Sequence, residues 1–304
     1  MKGEDVMAVK TVDTKATVVA DVPSPSVLGQ RLTALNSATI VGNDMYILKT
    51  RNSNFELCPV CICKISNFTT PASMKTTTIK IVDANGEPVG NIARHANAIT
   101  FAKNAANSSG YFFVATMNEA SEPQVLMISM SGVLKKRIRY NKNDKLSRLF
   151  CMDYVGMSGD YRQFICGVGC ANNRYRYDFA LLKGSVLEYT GVSFSGTDEI
   201  KGWSNNDITY HNNKLFSTHF KVDSNGVITY NRIYHYDLSK PIKGQSAILT
   251  PVKCMTSNRP AVYDKAFEIE AFCMRSGVWY GAYNCQSSNS SYNKDRVFKL
   301  TRLS

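Results

Sequence analysis

Seven side chains able to bind ligands or move protons stand at or near the starts of short apolar segments: His95, Asn97, Asp153, Asn206, Asp207, Glu268 and Glu270. Arg94-His95-Ala96-Asn97 leads into Ala98-Ile99-Thr100-Phe101, and Trp203-Ser204-Asn205-Asn206 leads into Asp207-Ile208-Thr209-Tyr210, so the two read as versions of one pattern, a polar lead and an apolar strand. Glu268-Ile269-Glu270 sets two carboxylates two residues apart, on one face of a strand. A carboxylate pair, or His95 as base, can do acid–base work. Clustered oxygens suit a hard cation. The same groups can equally satisfy the amides of neighbouring strands. All three readings stay open on the residues alone.

What could bring such distant residues together is a repeat. Five short first strands, at Ala38-Thr39-Ile40, 98–101, 151–154, 207–210 and 269–272, are each followed by a hairpin signal and a second strand rich in aromatic and small residues. With Ile40, Phe101, Tyr154, Tyr210 and Phe272 as equivalents, the steps are 61, 53, 56 and 62 residues. A period near 50 with several strands per unit marks a β-propeller. Third strands are expected at 59–65, 125–129, 179–182, 233–238 and 297–300, and fourth strands at 78–82, 133–138, 186–189 and 247–252. The fifth unit lacks a fourth strand, whereas Ala16-Thr17-Val18-Val19-Ala20 has no hairpin partner. The expectation is an all-β, five-bladed β-propeller closed by an N-terminal strand that completes the last blade. Closure of this kind removes two exposed sheet edges. The blades fall roughly at 30–85, 94–142, 147–196, 203–255 and 265–304, with the closing strand at 15–21, in one domain spanning 1–304. First strands line the central channel of a propeller, so the seven residues are expected to form a polar ring at one mouth.

The 16 Tyr and 14 Phe suit pleated, half-buried surfaces. No run approaches the ~20 apolar residues of a membrane span. Met1 to Met7 carries acids where a signal peptide needs a basic and then an apolar stretch. The chain is therefore expected to be made in the cytoplasm and, if exported, released by another route. Its nine cysteines lie mostly in strands, and Cys58-Pro59-Val60-Cys61 has no second pair at zinc-finger spacing. Cys61 and Cys63 alternate with Ile62, as small buried fillers would.

A formal charge of +12 favours anionic partners. Lys135, Lys136, Arg137 and Arg139 form the densest basic stretch, and Arg174-Tyr175-Arg176-Tyr177 interleaves cations with aromatics. With Trp203 they are candidates for an anion- or glycan-gripping rim. The bland alternative for the first stretch is edge protection on an outer strand. No nucleic-acid motif accompanies either patch, and nucleophile-elbow, metalloprotease and phosphate-loop signatures are missing. No cofactor is expected beyond a divalent cation on the axis, and a monomer is expected.

Arg94-His95-Ala96-Asn97-Ala98 before Tyr111-Phe112-Phe113-Val114-Ala115-Thr116, and Glu268-Ile269-Glu270-Ala271-Phe272 before Trp279-Tyr280-Gly281-Ala282-Tyr283, resemble the helveticin-J-type bacteriocins, as does the closing Arg296-Val297-Phe298-Lys299-Leu300. The resemblance covers roughly residues 94–130 and 268–303. It implies an all-β, secreted or released antibacterial protein acting at the envelope of related bacteria. With the charge, it leads to the expectation of a bacteriocin-like propeller, more a binder than an enzyme, that recognises an anionic or glycan component of a bacterial envelope. The alternatives are a propeller enzyme, a glycoside hydrolase or lyase, acting on a carbohydrate polymer through Asp153, Asp207, Glu268 or Glu270, and a protein-interaction scaffold.

Overall fold

The computed structural model describes residues 9–51, 59–103, 109–118, 122, 124–141, 148–169, 175–197, 203–244 and 247–303. Strand β1 (Thr11–Asp21) and the short pair β2 (Ser26–Val27) and β3 (Gln30–Arg31) precede the first blade. Blade one is β4 (Ala34–Val41), β5 (Asp44–Thr50), β6 (Cys61–Ser66) and β7 (Lys75–Lys80). After the single turn α1 (Gly90–Ala93), blade two is β8 (Ala98–Lys103), β9 (Gly110–Ala115), β10 (Val125–Ser129) and β11 (Leu134–Asn141). Blade three is β12 (Leu149–Ser158), β13 (Tyr161–Val168), β14 (Arg176–Lys183) and β15 (Val186–Gly196). Blade four is β16 (Ser204–Tyr210), β17 (Lys214–Val222) and β18 (Ile228–Asp237), then β19 (Ala247–Leu249) and β20 (Lys253–Asn258). Blade five is β21 (Ala266–Arg275), β22 (Val278–Gln286) and β23 (Arg296–Arg302), and β1 pairs antiparallel with β23 from Thr14↔Arg302 to Asp21↔Arg296. The chain is an all-β five-bladed propeller, closed by its N-terminal strand.

Two outer strands differ from the sequence expectation. The fourth strand of blade four is Lys253–Asn258, paired with β18, and not 247–252. Pro251 has no N–H to give a ladder, and Ala247–Leu249 pairs in parallel with Phe194–Gly196 of blade three instead. In blade one the outer strand is Lys75–Lys80, and Val82 makes isolated bridges to Pro88 and Val133.

Those parallel contacts are part of a belt. Val82 bridges Val133 between blades one and two, Arg139–Asn141 pair with Val186–Glu188 between two and three, β15 with β19 between three and four, and Thr11–Thr14 with Cys254–Ser257 between four and five. At the first of these the chains pass so close that a Cβ on Gly132 (φ +92°) would sit 2.0 Å from the Lys80 carbonyl. Only glycine fits there.

Blades five and one have no such strand pairing among the described residues. Their seam is closed by an apolar cluster holding Met45, Ile47, Cys61, Cys63, Phe68, Cys273 and Tyr280, and by a buried ion pair between Lys49 and Asp295. Cys61 and Cys63 face this seam while Ile62 faces blade two, so the strand alternation read from sequence holds. The seven cysteines among the described residues are all buried free thiols. Each seam also carries an aromatic contact, Tyr46–Phe112, Phe113–Phe164, Phe194–Tyr236, Phe216–Phe272 and Phe68–Tyr280 in ring order. Most of these rings come from second strands, which explains why those strands are aromatic-rich. Among the described residues no helix is long and apolar enough to cross a membrane.

Deleting residues 1–21 strips β23 and β20 of a partner at once. The melting temperature is expected to fall by about 10 °C or more. Melting within about 2 °C of the full chain would show that the closing strand contributes little.

Candidate functional site

Each inner strand pairs with its own second strand and, apart from a single parallel rung between Ala266 and Ile228, turns its other edge to the axis with no strand to meet it. Side chains from the neighbouring blade do so. Asn36 Nδ2 donates to the carbonyls of His95 (2.5 Å) and Ala96 (3.3 Å). Asn97 Nδ2 donates to the Phe150 carbonyl (2.8 Å), and Asn206 Nδ2 to that of Ile269 (2.8 Å). Three residues further in, Thr100 donates to Asp153, Asp153 Oδ2 accepts from the Tyr210 N–H (2.6 Å), and Thr209 donates to the Phe272 carbonyl. The Cys273 thiol closes the circuit on the Ala38 carbonyl (3.4 Å). The sequence pattern behind this is Asn-x-x-Thr, present at Asn36–Thr39, Asn97–Thr100 and Asn206–Thr209, with Asp153 in the Thr position of blade three. Asn36 belongs to the ring and was missed, although the same spacing announced it.

The axis is not an open channel. Ser37 Oγ donates across it to Asp207 Oδ2 (2.6 Å) while accepting from the Ile99 N–H (3.1 Å), joining blades two, one and four. This bridge separates two mouths and divides the expected ring. Asp153 opens into a polar cavity of about 180 Å³ at the strand-end mouth, lined also by Thr39, Thr100, Tyr154, Thr209, Tyr210 and His211. Burial raises its carboxyl to about 6, against the lowering effect of its three donors, Thr100, Tyr210 and Tyr154. His95, Asn97, Asn206, Glu268 and Glu270 lie at the strand-start mouth. His95 sits between Arg94 and Ala96, both in left-handed backbone (φ 43° and 45°), a conformation non-glycine residues hold only when the surroundings impose it. Burial lowers its imidazole pKa.

Among the described residues Glu268 and Glu270 accept no backbone N–H, whereas Asp153 accepts from Tyr154 and Tyr210 and Asp207 from Ile208. The two glutamate side chains hydrogen-bond each other, and Glu268 Oε1 also accepts from Asn206 Nδ2 (3.2 Å). Burial pushes Glu270 well above the usual carboxylate range, with the charges of Glu268, Asp295 and Asp207 adding to it. Burial raises Glu268 too, and its bonds from Asn206 and Glu270 hold that rise down. Both carboxyls are raised, Glu270 the more strongly, so the surroundings drive two like groups apart. Among the described residues no three His, Cys, Asp or Glu side chains converge as metal ligands.

The rim candidates separate. Lys135, Lys136, Arg137 and Arg139 lie on β11, an outer strand remote from the axis, and Arg139 already pairs with Val186. Arg174 lies outside the described residues. Arg176 is in an ion pair with Asp178, and Tyr177 is fully buried with its hydroxyl 2.5 Å from Ser217 Oγ, so neither serves as an open rim group. Tyr175 accepts from the Asn205 N–H (3.1 Å) beside the mouth, next to His219. Trp203 is also beside the mouth, with the Arg232 guanidinium 4.3 Å from its ring centre. Sequence gave no sign of Arg232 or Asn231, which reach this place only through blade pairing.

No family model and no curated protein matches the sequence. Solved structures do match in fold. The catalytic domain of Coprinopsis cinerea GH62 alpha-L-arabinofuranosidase is 9% identical with a TM-score of 0.50, covering 95% of this chain and 97% of that one. A GH43 beta-xylosidase/alpha-arabinofuranosidase from a compost microbial metagenome is 10% identical with a TM-score of 0.52, covering 96% and 95%. A GH43_1 enzyme from Xanthomonas citri is 12% identical with a TM-score of 0.51, covering 96% and 91%. These likenesses are of fold. The helveticin-J resemblance finds no support at the sequence level, the matching folds are glycosidase propellers, and the bacteriocin role expected from it falls with it. Its short motifs are what a propeller imposes on any blade, a small residue where the inner strand begins and aromatics on the second strand.

Two stability outcomes follow from the stapled axis. Asn97→Ala leaves the Phe150 carbonyl unpaired and is expected to cost ~1–3 kcal/mol in denaturant unfolding. A cost near zero would mean that water replaces the amide. His219 is buried among Asn205, Ser217, Tyr175 and Tyr234, with no partner for Nδ1, and burial, helped by Arg232, lowers its pKa from 6.5 to about 3. The unfolded chain takes up a proton near 6.5 that the folded one refuses until about 3. Its contribution is therefore whole above that range and lost as pH falls through it. Urea midpoints measured from pH 7 to 4 are expected to fall less steeply in His219→Gln than in the wild type; parallel slopes would rule the histidine out.

Proposed function

We propose that this protein acts on a carbohydrate polymer at its strand-start mouth, as a glycoside-cleaving enzyme. The observation that carries the reading is the Glu268–Glu270 dyad, two partly buried carboxyls side by side on one inner strand that take no backbone N–H among the described residues. The glycosidase propellers of like fold support it. In this reading Glu270 gives its proton to the leaving glycosidic oxygen as the C–O bond breaks, and Glu268 takes a proton from the water that forms the new bond to the anomeric carbon. Asn206 keeps Glu268 ionised and aimed, because its amide donates to the charged form.

A second reading has its own observation. Two carboxyls that bond each other directly stand closer than the ~5–5.5 Å or ~6.5–9.5 Å at which paired carboxylates flank a glycosidic bond. The mouth would then hold a glycan without cutting it, and the dyad would be an acceptor and donor for sugar hydroxyls.

Reducing-end release from a panel of plant, fungal and bacterial polysaccharides separates the two. Under the enzymatic reading at least one polymer is cut, and Glu268→Gln lowers the rate by ~10²–10⁴-fold with melting unchanged or raised. Retention of a polymer in affinity electrophoresis with no cleavage by the wild type would leave binding alone.

A further inference from the structure

Beside the dyad, on blade four, a groove of about 250 Å³ is lined by Trp203, Lys221, Tyr230, Asn231, Arg232, Thr256 and Asn258. Its floor is mechanically part of the mouth. Asn231 Nδ2 donates to the Phe267 carbonyl (2.7 Å) and its Oδ1 accepts from the Ile269 N–H (2.9 Å), so one groove residue clamps the backbone on both sides of Glu268. Trp203 stands three residues before Asn206, the residue that bonds Glu268, which puts their α-carbons at most about 10 Å apart along extended chain. The groove is therefore adjacent to the dyad on the scale of one or two sugar rings.

Its chemistry is specific. Arg232 stacks on the Trp203 ring at 4.3 Å, with the Lys221 ammonium at 6.0 Å from the same ring centre. Neither cation is in an ion pair among the described residues; the one hydrogen bond recorded for Arg232 goes from Nη1 to the Tyr234 hydroxyl (3.0 Å). A half-buried guanidinium with donors to spare and no carboxylate is built to receive an oxyanion. Tyr230, 59% exposed, offers a second aromatic surface and Asn258 an amide at the opening.

We propose that this groove is a subsite for a sugar ring bearing a negative charge, so that the polymer is an acidic glycan. The ring lies against Trp203 and Tyr230, and its carboxylate or sulfate is held by Arg232 and Lys221. This rests on the proposed action on carbohydrate and adds to it the class of substrate.

The full chain has only two tryptophans, so in Trp279→Phe the fluorescence reports Trp203 alone. That protein is titrated with an oligogalacturonate, a sulfated galactan oligosaccharide, a neutral galactose oligomer of equal length, and a short single-stranded DNA. Expected is quenching by one of the acidic sugars at an affinity roughly tenfold or more above the neutral oligomer's, weakening with salt. Which acidic arm binds identifies the charged group. Arg232→Gln is expected to reduce the acidic-over-neutral preference about tenfold, and Lys221→Gln, on an exposed side chain, to reduce it less. Equal affinities for acidic and neutral oligomers, a preference that survives in both variants, or tighter binding of the DNA than of any sugar would overturn the subsite. An acidic oligomer that binds but is not cut would sink the hydrolase reading and leave the subsite standing. Cleavage of neutral polymers without acidic preference would do the reverse.

Discussion

An inner propeller strand has an edge that no neighbouring strand can reach, and its amides and carbonyls must still be satisfied where water has little access. Here the answer is a set of side chains of fixed reach. Asn36, Asn97 and Asn206 span to carbonyls one blade on, and Thr100, Asp153 and Thr209 repeat the stitch deeper in the ring. The polar character of the axis is thus set first by backbone satisfaction. That makes Glu268 and Glu270 conspicuous, since they are polar at the axis and hold each other instead of the chain. Desolvation without a countercharge is costly, and a folded structure that keeps such a pair has accepted a local loss of stability at that place.

The outward organisation follows from the same geometry. With the axis stitched, each blade must bury its faces against two neighbours, and a ring contact stands at every seam. Four of the five seams gain a parallel backbone contact at the periphery, a single bridge in one case and paired strands in the other three. The fifth has the Lys49–Asp295 pair, enclosed by apolar side chains. Desolvation raises Asp295 and Lys49 opposes that rise, so the two are held as a pair. Breaking one partner would leave the other buried and unmatched, which is far costlier than losing a surface pair.

The fold could be read from the chain because its signals are local. Strand alternation, hairpin turns and a 50- to 60-residue period are all written within single blades, and the spare strand near Val18 matched the one vacant position. The site was legible only in part. Glu268 and Glu270 stood out as an i, i+2 pair, but whether Asp153 shared their mouth depended on depth along the axis, and it lies a few residues too far in. The misplaced strand at 247–252 had strand-like composition, and its rival partner was in another blade. Asn231 and Arg232 looked like ordinary members of Tyr230-Asn231-Arg232-Ile233; only cross-strand and cross-blade neighbours give them a role. The resemblance to bacteriocins arose from segments that the blade geometry itself dictates.

The antiparallel union of β1 with β23 sets Thr14 opposite Arg302 and Asp21 opposite Arg296, so both strands leave the last blade on the same side. A pull applied between the two ends would load the rungs of this ladder singly, like a zip, and not all together as in shear. The ring then opens at its clasp under tension along this direction before its other seams are loaded, and a short loop joining Thr11 to Arg302 would turn that clasp into a continuous hoop. Because the ends lie side by side, the same hoop could be reopened at an exposed turn in any other blade with the contacts described above kept.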